Sequence, residues 1–103
     1  MPYIAEDVRV ALDPFIDSLA AMVRREAEAF GYDGAYAGLL NYCVTRLAAN
    51  VTPARRYWAL QLTKGTLDGC ADEFKRRIID PYEDEQIETN GDVYEYGRQV
   101  VGH

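Results

Sequence analysis

Residues 73–94 read EFKRRIIDPYEDEQIETNGDVY, and three signals follow one another in them: a basic helix end at Lys75, Arg76 and Arg77, an Asp80-Pro81 pair opening an acidic segment, and an Asn90-Gly91 stop. Asp80 reads as an N-cap, Pro81 as a first-turn residue, and Glu83, three residues after the cap, as its reciprocal partner in a capping box. The spacing predicts a short acidic helix to about Thr89, closed by an Asn-Gly pair able to adopt the left-handed conformation. Beyond it, residues 92–103 read as a loosely packed tail whose Tyr94 and Tyr96 are available to dock on a neighbour.

Upstream of this stretch, Tyr57, Leu60, Lys64, Leu67, Ala71, Phe74 and Ile78 fall on one helical stripe. They predict a third helix from Ala54 towards Asp80, capped by Thr52-Pro53 and roughly 40 Å long at about 1.5 Å per residue. Gly65 and Gly69 interrupt it, each costing about 1 kcal/mol relative to alanine. Close backbone packing at this small-xxx-small spacing, against the first helix or a second copy, is the expected compensation, with a kink as the alternative.

Leu12, Phe15, Ile16, Leu19, Val23, Ala27 and Phe30 recur at three- and four-residue steps and mark the surest helix. Asp13-Pro14 is read as its start and Gly31 as its end, with Ala5 to Ala11 forming a separate helical turn or two ahead of it. After the turn at Gly31-Tyr32-Asp33-Gly34, a second amphipathic helix carries Leu39, Leu40, Cys43, Val44, Leu47 and Val51 and fades around Asn50. Apart from Val93 to Tyr96, no strand-like alternation competes. The expected fold is all-α: a helical hairpin or three-helix bundle with a short acidic C-terminal helix and tail, self-associating, in a single domain over residues 1–103.

A chain of 103 residues buries roughly 65% of its unfolded surface, a real but thin core that self-association would deepen. No apolar run approaches the roughly 18 residues of a membrane span, and MPYIAEDVRV is acidic where a signal peptide is basic, so a cytoplasmic protein without membrane contact is expected. Cys43 and Cys70 sit at apolar helical positions and read as reduced core thiols. His103, the only histidine, is read as part of a disordered end. The net charge of −6 is localised: residues 1–79 carry ten acidic and ten basic side chains, residues 80–103 seven acidic and one basic. This acidic balance argues against duplex nucleic acid, whose phosphates need a basic face.

No complete catalytic constellation is present. Ser18, the only serine, lies on an acidic helix face without a histidine to activate it. Glu83, Asp84, Glu85 and Glu88 crowd one short helix, where solvated charge rather than acid-base or magnesium chemistry is the ordinary state. The glycines of residues 31–38 lack the preceding strand of a phosphate loop. No enzyme activity, metal or cofactor is therefore expected.

What does stand out is a grouping of arginines and aromatics. Asn41, Tyr42, Thr45 and Arg46 share a polar strip of the second helix, and Tyr57, Arg76 and Arg77 lie on the third. Guanidinium forks match phosphate oxygens and aromatic rings stack on bases, so Arg46, Arg76 and Arg77 are candidates to hold phosphate, Tyr42 and Tyr57 to stack, and Asn41 to read a base edge. Two such phosphate contacts and two stacked bases give roughly 5–12 kcal/mol before an association cost of at least about 4. Micromolar binding needs about 8 net, which favours a site shared between protomers. The competing reading has Arg46, Arg76 and Arg77 paired with Asp72, Glu73, Asp80 and the acidic tail, with the tyrosines as half-buried packing.

The segments LNYCVTRL (residues 40–47) and EFKRRIIDPYEDEQIETNGDVY resemble the two recurrent blocks of a small family encoded by tailed bacteriophages and catalogued as a domain of unknown function. The opening MPYI followed by LDPFIDSLA fits the same family, while Lys75 and Asp80 depart from its usual aromatic and small residues. The resemblance implies a small helical protein without an assigned catalytic residue, located in the host cytoplasm if phage-encoded. Joined to the arginine and tyrosine grouping, it leads to the expectation of a non-enzymatic accessory, anti-defence protein that sequesters a small phosphorylated nucleotide at a homo-oligomer interface. The alternative is an adaptor or inhibitor of a host protein, or a minor structural component, with no small ligand.

Overall fold

The computed structural model describes residues 4–91, and they are all-α. The expectations for the tail, Tyr94, Tyr96 and His103 among them, lie outside the described residues. The chain divides into two compact units at Val51/Thr52.

The first unit is a helical hairpin. α1 (Glu6–Phe30) starts with Glu6 and Asp7, whose charges suit the partial positive charge of a helix N-terminus. The N–H groups of Val8 and Arg9 donate to the Ala5 carbonyl at 3.1 and 3.0 Å, closing the first turn. α1 then runs unbroken through Pro14. This corrects the expectation of a break at Asp13-Pro14: the helix loses one backbone bond at Pro14, on a stretch where Val10 and its neighbours are exposed. Gly31, at φ 80° and ψ 17°, donates to the Glu28 carbonyl and ends α1 in the left-handed conformation that glycine adopts without strain. Backbone bonds from Ala35 to Tyr32 and from Ala37 to Gly34, both 3.1 Å, close the turn into α2 (Ala35–Val51), which packs against α1.

The second unit is one long interrupted helix with a short lead-in. Thr52 does not cap it. Its hydroxyl shares a 2.7 Å hydrogen bond with that of Thr63, and α3 (Tyr57–Phe74) begins only after an extended Arg56, which offers no side-chain cap. α3 passes directly into a π-helical turn (Lys75–Ile79) and then α4 (Asp80–Asn90). Ile79 and Asp80 both have right-handed helical dihedrals, so the predicted Asp80 cap and the separate start of the acidic helix are corrected. The physical reason lies in Pro81. In a regular α-helix its ring would press on the Arg77 carbonyl and its missing N–H would leave that carbonyl unbonded. A wider turn relieves the clash, and the Asp80 N–H accordingly bonds the Lys75 carbonyl five residues back. Gly91 ends α4 with its N–H on the Ile87 carbonyl at 2.8 Å; its φ of 84° is positive, but its ψ of 154° is not that of the expected left-handed helix.

Burial is thinner than the sequence suggests. Among the described residues only Ala35 and Ala59 are buried, and no large side chain is. Cys43 is half-buried and Cys70 exposed, so the pairing of both as core thiols is not met. Gly65 and Gly69 face open space, and no described atom approaches within 4 Å of where a Cβ would stand. The close packing expected of them is absent among the described residues.

Candidate functional site

A concave, largely apolar surface lies on the hairpin. Ile16, Leu19, Ala20 and Val23 of α1 recur at helical spacing and converge with Tyr36, Leu40, Cys43, Val44 and Leu47 of α2 on a groove of about 340 Å³. Arg24 is the one charged residue in its lining. Apart from Arg24, Tyr36 and Cys43 the lining is aliphatic, a surface whose chemistry suits apolar contact. Sequence reasoning found Ile16, Leu19, Val23, Leu40, Cys43, Val44 and Leu47 on apolar stripes but not Ala20, Tyr36 or Arg24, and it left open what covers the stripes, because periodicity reports which face is apolar and not what lies against it.

Beside the groove runs the polar strip of α2. The Thr45 hydroxyl donates to Asn41 Oδ1 at 3.3 Å, and Arg46 Nη1 donates to the Tyr42 hydroxyl at 3.3 Å. Both pairs are four residues apart, where helix geometry stacks one side chain over the next. Asn41 and Thr45 also line a shallow depression with Tyr36, Leu40 and Val44, so groove and strip share a wall. The carboxylate partner expected for Arg46 in the ion-pair reading is not found among the described residues, where its bond is to a neutral phenol.

The remaining candidates lie in the second unit. Arg76 Nη2 meets Glu73 Oε1 at 2.9 Å, and Arg77 Nε bonds the other oxygen, Oε2, of the same carboxylate. Lys75 Nζ reaches both oxygens of Asp80, at 3.0 and 3.3 Å. That pair spans five residues, a separation brought into line by the wider π turn. For Arg76 and Arg77 the ion-pair reading thus describes the geometry. Tyr57, the first residue of α3, is 79% exposed. It stands about 28 Å from Arg76 along the helix at about 1.5 Å per residue, too far to share one ligand with it inside a single protomer. Within the second unit Tyr57, at the start of α3, and Arg76 with Arg77, in the π turn, are therefore separate places, while Asn41, Tyr42 and Arg46 belong to α2 of the first unit.

Among the described residues no group of three or more histidine, cysteine or acidic side chains is placed to hold a metal ion, and no helix is long and apolar enough to cross a membrane.

The family model described as a domain of unknown function (DUF6899) matches residues 1–93. No curated protein and no solved structure matches the chain.

Proposed function

We propose that this chain, which belongs to the DUF6899 family, is a non-enzymatic protein-interaction module whose helices reach full stability only when protein covers their apolar faces. One observation carries the reading: no large side chain is buried among the described residues, while Phe15, Leu47, Leu62 and Tyr57 are all more than half exposed. Ordering a residue costs about 1–2 kcal/mol of backbone entropy, and a large apolar side chain returns about 1.5–3 kcal/mol only when fully buried. Helices with their apolar stripes in water lack that return.

The two blocks that resemble a tailed-phage family suggest the setting: a phage accessory protein of the host cytoplasm, working as an adaptor, an inhibitor of a host protein or a minor structural component. A second reading, the anti-defence sequestration of a small phosphorylated nucleotide, is favoured by Arg46, whose guanidinium has a phenol as its bonded partner beside Asn41 and Tyr42 on an exposed strip. In it Arg76 and Arg77 exchange Glu73 for phosphate, which needs an anion able to displace a carboxylate held by two guanidinium groups.

The two are separated by circular dichroism melts over a wide dilution range and calorimetry against a panel of linear and cyclic nucleotides. The interaction reading expects helix content and melting temperature to rise with protein concentration or added partner, and no heat from nucleotides. A sharp, concentration-independent melt at high dilution sinks it. Nucleotide heat that disappears in Arg46→Ala establishes the second reading instead.

A further inference from the structure

We infer that the α1–α2 groove is closed by the same groove of a second copy, the two hairpins meeting about a two-fold axis as a four-helix bundle. This rests on the interaction reading above and names its partner.

Area supports it first. Ile16, Leu19, Tyr36, Leu40, Val44 and Leu47 are 37–59% exposed, and at roughly 100 Å² for a buried aliphatic side chain they hold about 300 Å² of open apolar surface. That is a large share of the apolar core that an interface of ~800 Å² per partner needs. Shape comes second. Two stripes converging on one groove form half of a bundle core, and apposing two such halves at about 20° interdigitates them in the usual four-helix arrangement.

Charge is the third and most specific support. Asp17 and Arg24 lie seven residues apart and so on one face of α1, and neither has an ion pair among the described residues. Within one chain they are separated by about 10 Å along the helix axis, out of bonding reach. An antiparallel contact of α1 with its copy, centred at Ala20-Ala21, sets Asp17 of each copy opposite Arg24 of the other. The self-complementary pairing is what an isologous interface requires, and the small Ala20 in the groove lining lets the helices approach at the centre.

The test uses the full chain at micromolar concentration in sedimentation equilibrium. Wild type is expected at twice 11.6 kDa, and Leu40→Glu at monomer mass. Arg24→Asp and Asp17→Arg should each weaken self-association at least tenfold, because like charges then face each other twice. Mixed together, the two variants should form a heterodimer with both pairs restored. The charge swaps lie on an exposed helix surface, so they decide the matter even where Leu40→Glu fails to fold. Indifference to the swaps, or a mixture no tighter than its components, overturns the pairing. A monomeric wild type with Cys43 shielded from a thiol reagent overturns the dimer, the groove then being filled by its own chain. A monomer that gains helix only with a different protein overturns it too, yet leaves the interaction reading standing.

Discussion

The hairpin of α1 and α2 and the interrupted helix from Tyr57 to Asn90 both expose apolar stripes, but they are held together by different forces. In the hairpin two helices lean on each other and shape a groove whose walls come from residues up to about thirty positions apart in sequence. In the interrupted helix the order is local: Lys64 with Asp68, Glu73 with Arg76 and Arg77, Lys75 with Asp80 and Asn90 with Gln86 bond across three to five residues. Surface pairs of this kind contribute about 0.2–1 kcal/mol each and set backbone register, whereas an apolar groove is worth several kcal/mol once covered. On the proposed interaction reading the hairpin is where association free energy would be concentrated, while the long helix is where sequence dictates local geometry.

The sharpest way to break this contrast is to place one charge in each region. Leu19→Asp, in the groove wall, should lose about 3 kcal/mol of stability in chemical denaturation of the associated protein, from lost burial plus a desolvated carboxylate. Leu62→Asp, on an α3 position already 64% exposed, should lose under about 1 kcal/mol, mostly through helix propensity. Equal losses would mean that the long helix is covered as fully as the hairpin.

Next in size is Pro81→Ala. Restoring the N–H and removing the ring should let the π turn relax to α-helix, with a gain of up to about 3 kcal/mol in the second unit. Residues 75 and 80 would then diverge around the axis, so the Lys75–Asp80 bond should vanish. A double-mutant cycle on that pair, positive in wild type and null in the Pro81→Ala background, checks it. A retained π turn would show that something other than the proline holds it open.

Pro14 and Pro81 also show where sequence reading ran out. The periodic stripes, the Gly31 end of α1 and the whole of α2 were legible because an apolar residue every three or four positions leaves no other regular structure. The breaks at Asp13-Pro14 and Asp80-Pro81 were not, since an Asp-Pro pair reads the same whether it starts a helix or sits inside one. What decides is whether the preceding turn absorbs the lost bond, as a plain vacancy at Pro14 and as a widened turn before Pro81. At the candidate site the Glu73 pairs were legible from i,i+3 and i,i+4 spacing. The groove as an open surface was not, because the same stripe serves a core and an interface.

Gly65→Ala and Gly69→Ala should each stabilise α3 by about 1 kcal/mol in thermal denaturation, because open space surrounds both positions and only helix propensity changes. A loss of stability or of association in either variant would reveal a close neighbour outside the described chain, and would move part of the interface from the hairpin to the long helix.

Glu73→Gln is the smallest change and bears most directly on ligand binding. It removes the carboxylate that engages both Arg76 and Arg77 while keeping side-chain volume. Those arginines are 65% and 52% exposed, so solvent screening limits the loss to about 0.5–1 kcal/mol for the two bonds together. The loss should fall further in high salt. With the carboxylate gone the turn carries one negative charge fewer, and inorganic phosphate or a nucleotide should bind measurably more tightly to the variant than to wild type in calorimetry. If affinity is unchanged, Glu73 is not what keeps anions from this turn, and the phosphate-holding role of Arg76 and Arg77 fails on geometry, which leaves Arg46 on α2 as the only candidate arginine for that chemistry.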